Sequence, residues 1–277
     1  MKLAGVVTLY HPTEDVYSNI ESYLDQLDIL YVIDNTENPS PKVKDYFSKN
    51  NKIEYIAFRD NKGIAYAMNY ALQKASNFDF LLTMDQDSHF IPGMMKKYKN
   101  SIERIENEKS HQVGMYAVNF DQRVDPVISR YKYVDVAITS GSIIPIKLAV
   151  DIGGFDENLF IDEVDNEFCY RLRQKGYKIM EFPYIILKHS LGNQTFHKIL
   201  GMNYNTFNHN ALRKYYMSRN RVYVLKKYPN VRFFYIKNII KDIIKVILAE
   251  SDKKNKLYYI FEGCMDGVLN NMGKLTK

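Results

Sequence analysis

FDFLLTMDQDS, residues 78–88, is the stretch on which the fold turns. Phe78, Phe80, Leu81, Leu82 and Met84 form a short apolar run that breaks into Asp85-Gln86-Asp87-Ser88. A run of this length reads as a buried strand, parallel or central in its sheet, with carboxylates at its C-terminal end. That end of an open α/β sheet is where ligands bind. Residues two apart in an extended segment point the same way, so Asp85 and Asp87 are expected to reach one cation or hydroxyl cluster. Two hard oxygen ligands suit Mg2+ or Mn2+, whose other positions go to phosphate oxygens and water. A polar turn closing a strand is the plain alternative for an isolated Asp-x-Asp.

Upstream of this run, strand and helix patterns alternate. Leu3–Tyr10 reads as a strand, and a helix over Glu14–Leu27 follows, capped by Thr13 or a neighbour. Ile29–Ile33 is a second strand ending in Asp34-Asn35, and Pro39 and Pro41 precede a helix near Val43–Lys49. Ile53–Phe58 is a third, running into Asp60-Asn61-Lys62-Gly63 and the helix Ile64–Ala75. This rhythm predicts a mostly parallel sheet with right-handed crossovers. Three successive strands thus end in polar residues, which should line one edge and converge on one cleft. Neither GxxxxGK[ST] nor GxGxxG is present, so a P-loop and a dinucleotide fingerprint are both excluded.

Downstream, a helix near Pro92–Glu108 precedes Val113–Phe120 and Val134–Ile146, both read as strands. Thr139-Ser140-Gly141-Ser142 places small residues in the second, which suggests close approach of a ligand or another backbone. Asp162, Glu163, Asp165 and Glu167 then crowd the start of a helix over Asn166–Lys175, which Gly176 closes. Carboxylates are favoured at a helix N-terminus, but four in six residues exceed what capping requires. A further helix spans His209–Lys227, placing Tyr215 with Arg219 and Tyr216 with Asn220 at i, i+4. Phe233–Ala249 repeats Lys237, Lys241 and Lys245 beside Ile, Val and Leu, the pattern of a basic amphipathic helix.

Composition sets the bounds. A chain of 277 residues with 46% hydrophobic and 25% charged content fits a soluble α/β domain with an appendage. The N-terminus runs straight into a strand, so no signal peptide is expected. No apolar run reaches the length of a spanning helix. Cys169 and Cys264 lie far apart, as in a reduced, cytoplasmic protein. Residues 188–277 carry 17 Lys and Arg against 5 Asp and Glu, whereas the rest carry 21 against 27. So basic a tail suits an anionic partner, and without a reader motif it does not suit nucleic acid.

Ordered motifs run through most of the chain: GVVTLYHP at 5–12, VIDN at 32–35, NKGIAYAMN at 61–69, TMDQDS at 83–88, TSGSIIP at 139–145, GGFDENLFIDEVDNEFCYRLRQKGYKI at 153–179, KHSLG at 188–192 and RKYYMSRN at 213–220. Together they resemble a family-two glycosyltransferase of the GT-A fold, closest to the rhamnosyltransferase-like members that build bacterial surface polysaccharide. The resemblance implies a Rossmann-like, mostly parallel central sheet with flanking helices over residues 1–200. A basic helical region, 201–277, would complete the donor site, and its amphipathic helix would either lie on an anionic membrane as in a peripheral protein or pack on the catalytic domain with its lysines outward. It further implies inverting sugar transfer from a nucleoside-diphosphate donor, dTDP- or UDP-linked, with L-rhamnose as the sugar. The acceptor would be a lipid-linked saccharide, and a homodimer is left open.

Carried over by position, Asp34 resembles the residue that binds the donor base, and Asp60 or Asn61 the next nucleoside contact, with Lys62-Gly63 beside it. Asp85 would meet the ribose or sugar, Asp87 the metal, and His189 the metal or diphosphate. Arg213, Tyr216 and Arg219 belong to the donor side, Arg suiting phosphate. For the general base, the rhamnosyltransferase-like members point to Asp162 and the broader family to Glu163, with Asp165 in the same cluster and Asp162 favoured; relatives with Glu-Asp-x-Asp there differ from the Asp-Glu-Val-Asp of this chain. A nucleotidyltransferase is the rival enzyme, but Tyr10–Glu14 lacks the glycine-rich basic loop it needs. A non-catalytic, membrane-associated sugar-binding module is the other alternative.

Overall fold

The computed structural model describes residues 1–108, 112–120, 130–188 and 208–275, together with the backbone of 195–199 and 202–206. In chain order its elements are β1 (Leu3–Leu9), α1 (Asp15–Leu24), β2 (Ile29–Asp34), α2 (Pro41–Phe47), β3 (Ile53–Ala57), α3 (Ile64–Lys74) and β4 (Phe80–Asp85). Then come β5 (His89–Phe90), α4 (Met94–Glu108), β6 (Val113–Asn119), β7 (Lys132–Val134), β8 (Ser142–Pro145), α5 (Ile146–Asp151), α6 (Val164–Gln174) and β9 (Lys178–Lys188). The chain closes with β10 (Thr195–Ile199), β11 (Met202–Thr206), α7 (Ala211–Lys227), α8 (Arg232–Ala249) and α9 (Lys253–Leu269).

Two compact units divide these elements: residues 1–156 with 165–190, and residues 157–164 with 191–277. The first is built on a sheet of order β3-β2-β1-β4-β8-β6-β9-β5, with β7 also paired to β9. β3, β2, β1 and β4 are mutually parallel, as the alternation of strand and helix predicts. β8 runs antiparallel to both of its neighbours. Nearly every residue of β1, β2 and β4 is buried, which accounts for their continuous apolar character. Leu3, Val7, Leu9, Val32 and Leu82 share one core with Ile20 of α1 and Ile102 of α4.

Two local expectations fail. No side chain caps α1; its boundary residue is Glu14, and Thr13 contributes only its carbonyl, 3.2 Å from the Val16 N–H. The run 134–146 is not one strand either. Val134 ends β7, Ser142 begins β8, and Ile146 already starts α5. The small residues between them mark the break: Gly141 donates its N–H to the Thr83 carbonyl at 2.8 Å, and a side chain there would strike Val118 at 2.7 Å. Another backbone, then, is what approaches.

In the second unit, β10 and β11 form an antiparallel pair, and three helices follow. α7 and α9 cross closely because α9 turns Gly263 and Gly267, one helical turn apart, toward α7. A Cβ on Gly263 would lie 2.4 Å from the Tyr215 carbonyl oxygen, and on Gly267 2.6 Å from that of Arg219. Backbone cannot retreat as a side-chain tip would. Gly263→Ala is therefore expected to cost about 1–3 kcal/mol of stability, the usual range for overpacking. Urea unfolding of the full chain checks this, and an unchanged midpoint would mean that the helices part without penalty. Among the described residues, no helix is long and apolar enough to cross a membrane.

Candidate active site

β2 and β4 flank β1 in matched register, pairing Leu9 with Asp34 and Thr8 with Asp85. The polar ends of both strands therefore emerge at the same end of β1. Asp34 is fully buried, yet its carboxylate is bonded: the Tyr55 hydroxyl donates at 2.7 Å and the Thr36 N–H at 2.9 Å. Burial and the bond to Asp34 push the Tyr55 phenol up, so it remains a protonated donor. Asn35, also buried, donates to the Gly63 carbonyl at 3.2 Å. Asn61 accepts from the Gly63 N–H at 3.1 Å. Gly63 has φ +87°, a conformation that favours glycine, and it opens α3. Asp60 and Lys62 are exposed in this turn, with the Lys62 ammonium over the rings of Phe58 and Tyr66.

Asp85 and Asp87 are not two rungs of one extended strand. β4 ends at Asp85, and the Ser88 N–H returns to the Asp85 carbonyl at 3.2 Å, so Asp87 sits in a turn. Gln86 explains the change of course. Its side chain accepts from the Tyr10 N–H at 2.8 Å and donates to the Tyr10 carbonyl at 3.1 Å. It thus mimics the next pair of ladder bonds while the main chain turns away. Ser140 fixes the turn from the other side, accepting from the Asp85 N–H at 3.1 Å and donating to Ser88 Oγ at 2.8 Å. Gln86 and Ser140 are positioning residues that the sequence motif contains without revealing.

Among the described residues, no three His, Cys, Asp or Glu side chains gather into a protein cage for a metal. Half-buried Asp85 and exposed Asp87 offer the smaller set, one or two hard carboxylates, that Mg2+ or Mn2+ takes when phosphates complete its shell. The residues fit such a cation. His189 lies outside the described residues.

The acid cluster is divided. Asp165 accepts from Thr139 Oγ1 at 2.7 Å in the first unit, and Glu167 is buried against Arg171 at 2.7 Å. Asp162 and Glu163 belong to the second unit and adopt the left-handed conformation in succession, with φ +66° and +64°. That costs energy for residues other than glycine, and neighbouring contacts hold it. Asn220 donates to the carbonyls of Ile161 at 2.6 Å and Asp162 at 3.0 Å. The Arg213 guanidinium grips the Asp162 carboxylate with two prongs, at 2.7 and 2.6 Å. Glu163 accepts from the Tyr235 hydroxyl at 2.7 Å and lies 3.5 Å from Arg221 Nε.

Of the α7 residues carried over from the motif, Arg213 is the exposed one, with 39% of its side chain accessible. Tyr216 stacks on Phe160 and accepts from the Leu275 N–H at 2.9 Å. Arg219 is buried over the rings of Tyr215 and Tyr216 and donates to the Gly273 carbonyl at 2.7 Å. Sequence reasoning passes over His209. Burial and Arg213 lower its pKa while Asp162 opposes, so a neutral imidazole stands beside the ion pair at pH 7. In sequence it shows only as a residue at a helix start.

The sheet and its helices define a GT-A fold. The solved structure of GalNAc-T7 with UDP, GalNAc and Mn2+ superposes with TM-score 0.61 at 13% identity, over 98% of this chain and 57% of that one. TarS of S. aureus superposes with TM-score 0.53 at 15% identity, over 81% of this chain and 40% of that one. The chain thus spans little more than half of the one and less than half of the other, and the likeness concerns the fold.

Residues 6–130 match the model of Glycosyl transferase family 2. Over 275 residues the chain is 26% identical to the dTDP-rhamnosyl transferase RfbF of Shigella flexneri, covering 92% of this chain and 90% of that protein. Residues 6–130 are thus similar to a family-two glycosyltransferase domain, and the chain as a whole is similar to a rhamnosyltransferase.

Proposed function

We propose that the protein transfers L-rhamnose, with inversion, from dTDP-rhamnose to a lipid-linked saccharide acceptor in surface-polysaccharide synthesis. The observation that carries this is the register that brings Asp34 and Asp85 out at one end of β1, in a chain related along nearly its whole length to a dTDP-rhamnosyl transferase. Asp34, Asn61 and the Gly63 turn receive the nucleoside, and by its motif Arg213 is assigned to the diphosphate. Asp85 and Asp87 would hold a divalent cation, which offsets charge on the leaving diphosphate. Asp162 accepts the proton of the acceptor hydroxyl, with Glu163 next to it in the same segment. A peripheral station at the inner face of the cell membrane follows from such an acceptor.

A panel of sugar nucleotides, assayed for turnover and calorimetric binding with and without Mn2+, tests the proposal. dTDP-rhamnose is expected to give the highest turnover, and binding should require the metal. Asp87→Ala should abolish the metal-dependent part of the affinity in a folded protein, because the residue is exposed at a turn. Turnover of another donor alone would reassign the sugar. Unchanged metal-dependent affinity in Asp87→Ala would remove the cation from this turn.

A further inference from the structure

α8 presents two unlike faces. Tyr235 and Val246 are buried within the second unit. On the opposite side, Phe233, Ile236, Ile240, Ile244 and Ile247 recur at steps of three and four and remain exposed, Phe233 at 87% and Ile240 at 51%. Such spacing puts them in one continuous stripe. Lys237, Lys241 and Lys245 each follow a stripe residue by one position, so they line a single edge of it. Asp242, the one acid on this helix, is bonded to Arg221 at 2.5 Å. α9 adds a second exposed stripe of Tyr258, Phe261, Met265 and Val268.

We propose that α8 lies in the surface of an anionic lipid bilayer, its apolar stripe among the acyl chains and its lysines at the headgroups. Charge selects this occupant. A second copy of α8 would bring the same lysines and no available acid, whereas anionic headgroups match both the edge and the basic balance of residues 188–277. The inner face of α8 meanwhile supplies Tyr235 to Glu163, and Asp242 to the Arg221 that faces Glu163. A docked α8 thereby ties the acid segment to the membrane surface, which, resting on the proposed function, is where a lipid-linked acceptor waits.

The test needs no sugar nucleotide and so stands apart from the donor assignment. The full chain is incubated with vesicles of phosphatidylglycerol and phosphatidylcholine, or of phosphatidylcholine alone. The chain contains no tryptophan, so Ile240→Trp provides a single reporter. Its emission is expected to shift to the blue with the anionic vesicles only. Sedimentation with those vesicles should fall at least about tenfold in Ile240→Asp/Ile244→Asp and in the triple Lys→Glu variant. In about 0.5 M salt, binding should weaken through screening of the lysines. An unshifted emission, or equal sedimentation of the variants, overturns the proposal. A dimer in sedimentation velocity that Ile240→Asp/Ile244→Asp dissolves, with no vesicle binding, would assign the stripe to a second copy instead.

Discussion

Asp162→Asn is expected to lower kcat by about 10²–10⁴-fold, the range of a lost general base, while donor affinity changes little. An acceptor hydroxyl is a weak nucleophile at neutral pH, and its proton must leave as the new bond forms. Asparagine keeps the shape of the side chain but not its basicity. It also tolerates the left-handed backbone that Asp162 adopts, so the segment should stay in place. What changes besides is the two-pronged contact to Arg213, which loses its charge complement. Arg213→Gln separates the effects. If Asp162 serves only to hold Arg213, both variants should be impaired alike and chiefly in donor binding. Glu163→Gln is the second comparison: abolished turnover there, with Asp162→Asn active, moves the base by one residue. Full turnover in both variants would place it outside this segment.

Glu250→Ala should produce the largest loss of stability, about 3–5 kcal/mol, the usual cost of breaking a buried ion pair. Glu250 is buried where α8 gives way to α9 and accepts from Lys214 at 2.9 Å and Lys256 at 2.8 Å, both buried as well. It therefore joins all three helices of the second unit, and its removal leaves two ammonium groups facing each other without an anion. Burial alone would raise the Glu250 pKa, but hydrogen bonds from Lys256 and Lys214 outweigh it and the net direction is down. A carboxylate depressed in the folded state binds fewer protons there than when unfolded. The stabilisation is then complete above the ordinary range of about 4.3 and is lost as pH falls through the folded value. Urea unfolding at pH 7 and pH 3 should show the gap between wild type and Glu250→Gln narrowing in acid. A gap independent of pH would deny the carboxylate this role.

How far the sequence reaches depends on the kind of signal each element sends. The parallel half of the sheet is legible because β1, β2 and β4 are buried on both faces, and their apolar runs stop abruptly at Asp34 and Asp85. α9 is not legible, because its buried positions are Lys256, Ile260, Gly263 and Gly267, whereas Phe261 and Val268 are exposed. Hydrophobic periodicity there points away from the contact that matters, which depends on the missing Cβ of two glycines. The site divides in the same way. Asp34, Asp85 and Asp162 stand out as candidates in their motifs, but the turn at Asp87 is set by Gln86 reaching Tyr10, a contact across 76 residues. No local pattern announces such a partner. Nor does RxYYxxRN disclose that Arg219 and Tyr216 are engaged by the segment around Gly273 and Leu275.

Residues 157–164 fold with the C-terminal helices, although the chain before and after them belongs to the sheet. This governs how the protein could be recombined with a relative. Exchanging everything after residue 200 would give Asp162 and Glu163 a foreign set of helices, with no assurance of an arginine, a tyrosine and an asparagine at the right places. A working chimera must move two separate stretches together, the eight residues of the acid segment and the whole C-terminal region. Natural variation should obey the same bookkeeping, with changes at Asp162 and Glu163 matched by changes at Arg213, Asn220, Arg221 and Tyr235.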